Sequence, residues 1–474
     1  MAAKETVVLY PGKGLGHLFP MVELAEHLLC HGFAVTVVAI ELPSTSSQVI
    51  SRFLSSYPTI SFHVLPQVPP PSDAVGLNLF SSLVRLQNSN LQQFLVSLSQ
   101  TSSIRAVVLD FFCTDALQVA SDLGIPSYIF FPSSASNLAV FLHLPVLGAT
   151  ATTSFKDMGR TLIHFPGLRG IPASDMPKET ADRDSETYKL LVHSNFAQLP
   201  NSDGIIVNSF ESLEPYAVRA LKDGLCLPNR PTPDIYCVGP LIAGGEKKGG
   251  EKHECLTWLD TQPNGSVVFL CFGSMGSFSA EQTKEMATGL ENSGQRFLWA
   301  VRSPKNPDPA KRFEPTPEPD LDSLLPEGFL ERTRERGFVV KSWAPQAEVL
   351  GHAAVGGFVT HCGWNSTLEG IVAGVPLICW PLYAEQRMNK VFLVEEMWVG
   401  VEIEGYDEDL VKAEEVEKKI RWLMESEEGS VIRERVKELK EKAKEATSEG
   451  GSSYKALLEF EQRIRRSSIK ALVC

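Results

Sequence analysis

The chain has 474 residues, 43% of them hydrophobic and 21% charged, enough for two or three ordinary globular domains with ample cores. Its formal net charge of −13 excludes the basic footprint that nonspecific binding to nucleic acid or to an anionic membrane requires, and it favours solubility. Nine cysteines (Cys30, Cys113, Cys226, Cys237, Cys255, Cys271, Cys362, Cys379 and Cys474) are scattered with no C-x-x-C pair, the pattern of buried thiols in a reducing compartment rather than of a disulfide framework.

The first predicted strand is Val7–Tyr10, directly after Lys4 and Glu5, so no signal peptide is expected and the protein reads as cytosolic. The stretch Gly12–Pro20, "GKGLGHLFP", follows it. Its glycines are spaced Gly-x-Gly-x-Gly, which matches neither the G-x-x-x-x-G-K-[ST] phosphate loop nor G-x-G-x-x-G. A helix over Leu18–Cys30 comes next, with Pro20 tolerable in its first turn. Strands are predicted at Ala34–Ile40, Ala106–Asp110, Ser127–Phe131 and Ile205–Asn208, with helical patterns between them, the signature of a parallel α/β sheet. The uncharged run Leu123–Phe155 is long enough to test as a membrane span. Pro126, Pro132, Pro145 and the cluster Ser133–Asn137 interrupt it, leaving only Leu138–Leu144 as continuous helix, so no membrane span is expected.

Ala243–Glu254, "AGGEKKGGEKHE", is glycine-rich and charged and reads as a flexible linker. Beyond it the α/β theme repeats. Val267–Phe272 is a continuous apolar run suited to a strand buried on both faces. Ser279 and Gln282 give a capping-box signal for a helix over Ala280–Asn292. Further strands are expected at Phe297–Val301, Phe338–Val340, Gly357–Thr360 and Pro376–Cys379, with Pro304–Pro326 as a surface excursion and Val436–Ala446 as an exposed helix face. No short-period repeat is present. The expected organisation is therefore two α/β domains, each a Rossmann-like doubly wound sheet, facing a cleft at the carboxyl ends of their strands. The boundaries are 1–242, a linker at 243–254, 255–455, and a closing helix within 456–474.

Residues Trp343–Gln386 read "WAPQAEVLGHAAVGGFVTHCGWNSTLEGIVAGVPLICWPLYAEQ". This resembles, nearly position for position, the donor box of the plant UDP-dependent glycosyltransferases that modify secondary metabolites. "GHLFP", "VLDFFCTDAL", "VGPL" and "CFGS" are similar to the same family, so the resemblance spans essentially the whole chain. It implies the GT-B fold, an acceptor-binding first domain, a UDP-sugar-binding second domain, and a last helix around Leu457–Arg466 that crosses back onto the first. The physical reading is compatible. The box contains no Lys and no Arg, so a diphosphate must be held by other means. Gly363-Trp364-Asn365-Ser366 leads into a helix whose N-terminus presents free N–H groups.

By resemblance, His361, Asn365, Ser366 and Ser274 contact the phosphates, with Gly363 in the same turn. Glu369 takes the ribose hydroxyls, Trp343 stacks on uracil with Gln346 nearby, and Trp364, Glu385 and Gln386 meet the sugar. Gln at that last position is the glucose-type pattern, which implies UDP-glucose as co-substrate. Ser366-x-x-Glu369 also reads as a capping box, which would explain both residues structurally. Asp182-Arg-Asp184, Asp320-Leu-Asp322 and Asp407-Glu-Asp409 all match the D-x-D pattern of metal-dependent glycosyltransferases, and three hits show how weak that pattern is. With uncharged phosphate ligands on offer in the box, no cofactor and no catalytic metal are expected.

Forming a glycoside by direct displacement needs a base for the acceptor hydroxyl, and a histidine with a pKa near ~6.5 is suited to take that proton. The resemblance makes His17 that base. A neighbouring carboxylate would stabilise the imidazolium; Asp110 at a strand end and Asp115 just after it compete, and the resemblance favours Asp110. Phe111, Phe112, Phe131, Leu138, Phe141 and Phe196 are candidates for an apolar acceptor slot, with Pro66–Gly76 as its rim. The expectation is a monomeric, inverting enzyme that glucosylates a phenolic or flavonoid hydroxyl to a β-glucoside. Carbon glycosylation remains open. A UDP-sugar epimerase lacks the Trp343–Gln386 pattern, and a silent small-molecule binder would be expected to have lost His17 or Asp110.

Overall fold

A computed structural model describes residues 4–40, 57–69, 71, 76–242, 252–305 and 317–466. Residues 243–251 of the expected linker, part of the Pro66–Gly76 rim, part of Pro304–Pro326 and Cys474 lie outside them. The chain divides into two compact units, Met1–Ile242 with Glu445–Cys474, and Ala243–Lys444. The return to the first unit thus falls at 445 rather than at 456.

The first unit is built on seven parallel strands: β1 (Lys4–Tyr10), β2 (Ala34–Ala39), β3 (Ser61–Val64), β4 (Ser102–Asp110), β5 (Ser127–Phe131), β8 (Gly204–Val207) and β9 (Asp234–Cys237). A small antiparallel pair, β6 (Leu162–Ile163) and β7 (Ile171–Pro172), lies apart from that sheet. The sheet order is β3-β2-β1-β4-β5-β8-β9, so the chain reverses direction across the sheet between β1 and β4. The central strands carry a single charge where they are covered: all five residues of β5 are buried, as are the last five of β4, of which only Asp110 is charged. That is the profile of a sheet packed on both faces. One core joins Val7, Leu9, Val108 and Phe130 of the sheet to Met21, Leu24 and Leu28 of the helix Leu15–Cys30.

The same core takes in Leu457, Phe460 and Ile464 from the last helix, Ser452–Arg466. Phe460 is fully buried and meets Tyr128 edge-on at 4.9 Å. At the rim, Ser453 donates to the Gly239 carbonyl, Arg465 pairs with Glu5 and donates to the His31 carbonyl, and His31 Nδ1 lies 2.6 Å from Glu461 Oε1.

The second unit holds six parallel strands: β10 (Val267–Cys271), β11 (Arg296–Val301), β12 (Gly337–Lys341), β13 (Val355–Thr360), β14 (Leu377–Cys379) and β15 (Gly400–Glu402). Their order, β12-β11-β10-β13-β14-β15, reverses between β10 and β13. Val268, Leu270, Phe297, Trp299, Val359 and Ile378 form its core with Leu290, Ile420 and Leu423 from covering helices.

Two local readings change. The helix Ala135–Thr150 runs through Pro145 instead of stopping before it, capped at its start by Ser134 Oγ, which accepts from Asn137 N–H. Ser279 does cap Ala280–Ser293, but Gln282 does not reach back to complete a box. Its side-chain amide instead pairs with both backbone groups of Val411, at 2.8 Å each. Among the described residues no helix is long and apolar enough to cross a membrane.

Candidate active site

In open parallel sheets the ligand crevice opens where strand order reverses, at the carboxyl ends of the strands. Each unit places candidate residues at such a point.

In the first unit, β1 ends at Tyr10 and the chain turns through Pro11–Gly14 into the helix Leu15–Cys30. Gly14 makes that turn with φ of 95°, a conformation that disfavours a side chain, and its carbonyl accepts from His17 and Leu18 N–H. His17 therefore rides on the first turn of the helix. Asp110 ends the neighbouring strand β4, fully buried, and its Oδ2 lies 2.8 Å from His17 Nδ1. Its Oδ1 accepts from Phe112 N–H at 3.0 Å. Gly12 leaves room for the carboxylate, since a Cβ there would stand 2.4 Å from Oδ1. The competitor Asp115 faces elsewhere, pairing with Arg85 at 3.4 Å.

A chain of rings leads away from this pair. His17 lies 5.4 Å from Phe112 and 5.7 Å from Phe111 between ring centres. Phe111 continues to Phe131 at 5.0 Å and Phe141 at 6.2 Å, and Phe141 stacks on Phe196 at 4.2 Å. Of the six acceptor candidates Phe111, Phe131, Leu138, Phe141 and Phe196 are buried, and Phe112 is partly exposed beside His17.

In the second unit, the turns after β10, β12, β13 and β14 carry the donor-box candidates. Ser274 is exposed after β10. His361 follows β13 directly and is buried; burial pushes its imidazole down to about 4, and Nδ1 has no hydrogen-bond partner among the described residues. Its ring occupies space left by two glycines, because a Cβ on Gly273 or Gly363 would come within 2.7 or 2.5 Å of it. Gly363 caps the helix Trp364–Ala373 without a side-chain bond. Ser366 is therefore inside the first turn and not at the cap, which removes the capping-box reading of Ser366 and Glu369. Gln346 Nε2 donates instead to both, at 2.8 Å to Ser366 Oγ and 2.6 Å to Glu369 Oε2. Burial holds the Glu369 carboxyl above its usual range, partly offset by that hydrogen bond. Trp343, 56% exposed, offers an open indole face. Trp364 is buried. Asn365 and Glu385 are half-buried. Gln386 is buried, with Oε1 accepting from the N–H groups of Leu382 and Tyr383, both at 2.9 Å.

Backbone strain gathers at this site. The described residues include four non-glycine residues with positive φ: Ser342 (65°), Cys362 (64°), Ala384 (54°) and Trp398 (59°). The first three directly adjoin Trp343, His361 and Glu385. Such conformations cost on the order of 1–3 kcal/mol each and persist only where the surroundings enforce them. Sequence reasoning missed the residues that do so. Arg302 donates to the Ser342 carbonyl at 3.2 Å and Asn389 to the Cys362 carbonyl at 2.8 Å. Neither carries a pattern that single-sequence reasoning recognises, whereas Gly12 and Gly273 lie in stretches already singled out.

Two of the three D-x-D matches have local explanations: Asp182 pairs with Lys156 at 2.6 Å, and Asp320 caps a short helix. Among the described residues no three His, Cys, Asp or Glu side chains come together as a metal site would require.

Residues 228–428 match the family described as UDP-glucoronosyl and UDP-glucosyl transferase. The chain is 47% identical over 476 residues to an anthocyanidin 5,3-O-glucosyltransferase of a Rosa hybrid cultivar, covering 97% of this chain and 98% of the relative. It is 47% identical over 454 residues to UDP-glycosyltransferase 88B1 of Stevia rebaudiana, covering 94% and 96%. Phytolacca americana UGT2 complexed with UDP-2fluoro-glucose and pterostilbene matches the structure with a TM-score of 0.87 at 39% identity, covering 98% of this chain and 100% of that one. Two parallel sheets of this order and these neighbours define a glycosyltransferase of the GT-B fold. The chain belongs to the plant UDP-dependent glycosyltransferases, family 1, and is an enzyme that transfers a sugar from a UDP-linked donor.

Proposed function

We propose that this enzyme transfers glucose from UDP-glucose to a hydroxyl of a small phenolic or flavonoid acceptor, with inversion, giving a β-glucoside. The observation that carries the reading is the 2.8 Å contact between His17 Nδ1 and buried Asp110. A carboxylate only accepts, so Nδ1 holds the ring proton and Nε2 the lone pair. Nε2 takes the acceptor's hydroxyl proton as the oxygen attacks the anomeric carbon. The bond to the UDP oxygen breaks on the opposite side, and an α-linked donor yields a β-linked product. Asp110 stabilises the imidazolium and fixes the ring.

The departing diphosphate is met by neutral groups: the His361 imidazole, the hydroxyls of Ser274 and Ser366, the amide of Asn365, and the N–H groups opening the helix Trp364–Ala373. Uridine is assigned to the exposed face of Trp343 and to Gln346 and Glu369, the sugar to Trp364, Glu385 and Gln386. The ring chain beginning at Phe112 supports an aromatic acceptor. The relatives support it too, since the Rosa protein is named for an anthocyanidin and the Phytolacca structure holds pterostilbene. With neutral phosphate ligands in place we assign no role to a metal, and the free, scattered cysteines suit a reducing, cytosolic compartment.

The test is incubation with UDP-glucose and a panel of phenols and flavonoids, with and without chelator. UDP release and the mass and anomeric coupling of the products are followed. Acceptor-dependent UDP release, an oxygen-linked β-glucoside and no effect of the chelator are expected. Release without acceptor, or an α-linked or carbon-linked product, overturns the proposal.

A further inference from the structure

Cys362 is a poor residue for the conformation it holds. A left-handed non-glycine residue brings Cβ close to its own carbonyl, and a buried carbonyl must also find a donor. Cys362 sits between His361 and Gly363, so its φ of 64° sets both the aim of the imidazole and the direction in which the helix Trp364–Ala373 sets out. Its N–H lies 3.4 Å from Thr360 Oγ1, a weak tie. Its carbonyl accepts a bond of 2.8 Å from Asn389 Nδ2, and Asn389 is fully buried. Asn389 belongs to the helix Gln386–Val391, whose first residue is Gln386 and which Glu385 precedes. Its own N–H donates to the Glu385 carbonyl at 3.0 Å. One side chain thereby ties the turn assigned to phosphate to the helix end assigned to the sugar.

We propose that Asn389 is a positioning residue for the donor: its amide holds Cys362 in the left-handed conformation and so keeps His361 and the N-terminal amides of Trp364–Ala373 aimed at the diphosphate. The proposal rests on the donor-site reading given above. Asn389 acts through the Cys362 carbonyl, and no other residue type of that size offers a neutral N–H donor there without adding charge. The turn at Ser342 has a parallel anchor in Arg302. That anchor adjoins Trp343, at the end assigned to the nucleoside.

The test compares a ligand with the diphosphate and one without it. Binding of UDP, inhibition by uridine, and KM for UDP-glucose and for the acceptor are measured in the parent, Asn389→Leu and Asn389→Asp at pH 8. The aspartate keeps the shape while replacing the donor with an acceptor. Losing one buried hydrogen bond that orders the phosphate turn is expected to weaken UDP and raise KM for UDP-glucose by about tenfold. Uridine inhibition and acceptor KM stay within about twofold. Unchanged UDP affinity in both variants overturns the proposal. So does a loss shared equally by UDP, uridine and acceptor, which marks a merely structural residue. His361→Ala is measured alongside. If it too leaves UDP affinity intact, the donor-site reading itself fails; if it weakens UDP while the Asn389 variants do not, only the role of Asn389 falls.

Discussion

Two histidines, each just beyond the end of a parallel strand at a point where strand order reverses, sit in opposite electrical surroundings. His17 keeps 21% of its side chain exposed and has a carboxylate at 2.8 Å. His361 is buried against glycines, has no carboxylate, and is pushed down to about 4. A carboxylate partner stabilises the cation, so the first ring is suited to accept a proton. Burial without a counter-charge disfavours the cation, so the second ring stays neutral and serves as a hydrogen-bond donor at physiological pH. In the proposed mechanism the same side chain is assigned the part of a base in one unit and of a fixed dipole in the other, and the difference lies in the surroundings.

The contrast breaks most sharply at His17. His17→Ala is expected to lower kcat by about 10³-fold while UDP affinity stays at the parent value, since general-base catalysis contributes on the order of 10²–10⁴. Loss of UDP binding would instead place His17 at the donor. Asp110→Asn keeps the shape but removes the charge that stabilises the imidazolium, and a fall in kcat of about 10²-fold is expected, again with UDP affinity retained. Gly12→Ala tests the packing behind the pair. Its Cβ would lie 2.4 Å from Asp110 Oδ1, so the carboxylate must shift, and a drop of about tenfold in kcat with little change in melting temperature should follow.

His361→Gln probes the other side, with an expected loss of UDP affinity of about fivefold, read by calorimetry. It carries a pH signature as well. Because the folded ring titrates at about 4 against 6.5 for the unfolded chain, the unfolded state binds more protons between those values. Stability is therefore lost as pH falls through that window. The glutamine variant should lose less melting temperature than the parent between pH 6.5 and 4.5, and an equal loss would mean that His361 is hydrated.

Much of this was legible in the residues. Central strands announced themselves as apolar runs, and β5 was bounded to the residue. The alternating pattern put His17 and Asp110 at the ends of strands, but their pairing was implied only by the family resemblance; the adjacency of β1 and β4 that brings them together is seen in the sheet order. Of the four edge strands only β12 was legible, as Phe338–Val340: β3 and β9 are only partly buried, β15 is three residues long, and none of these three has the apolar run that full burial demands. Pro145 misled because a proline near the end of a buried helix can be overruled by the packing around it. Both capping boxes failed, the second already because Gly363 and not Ser366 stands at the cap, and in both the third residue on has another partner. A side chain three residues on is free to find a tertiary partner, Val411 for Gln282 and Gln346 for Glu369, and local spacing cannot reveal that competition. The residues that hold strained turns, Arg302 and Asn389, were invisible because their partners are carbonyls distant in sequence.

The last helix imposes an order of events on synthesis. The strands of the first sheet are all made by residue 237, yet Leu457, Phe460 and Ile464, which finish its core, emerge only after the whole second unit. At about 5–20 residues per second, that gap lasts roughly 10–45 s on the ribosome. The second unit, one contiguous segment, has its full complement of residues first. The first unit waits with Tyr128 and Tyr236 uncovered until its final helix arrives, a window in which a chaperone has an apolar surface to hold.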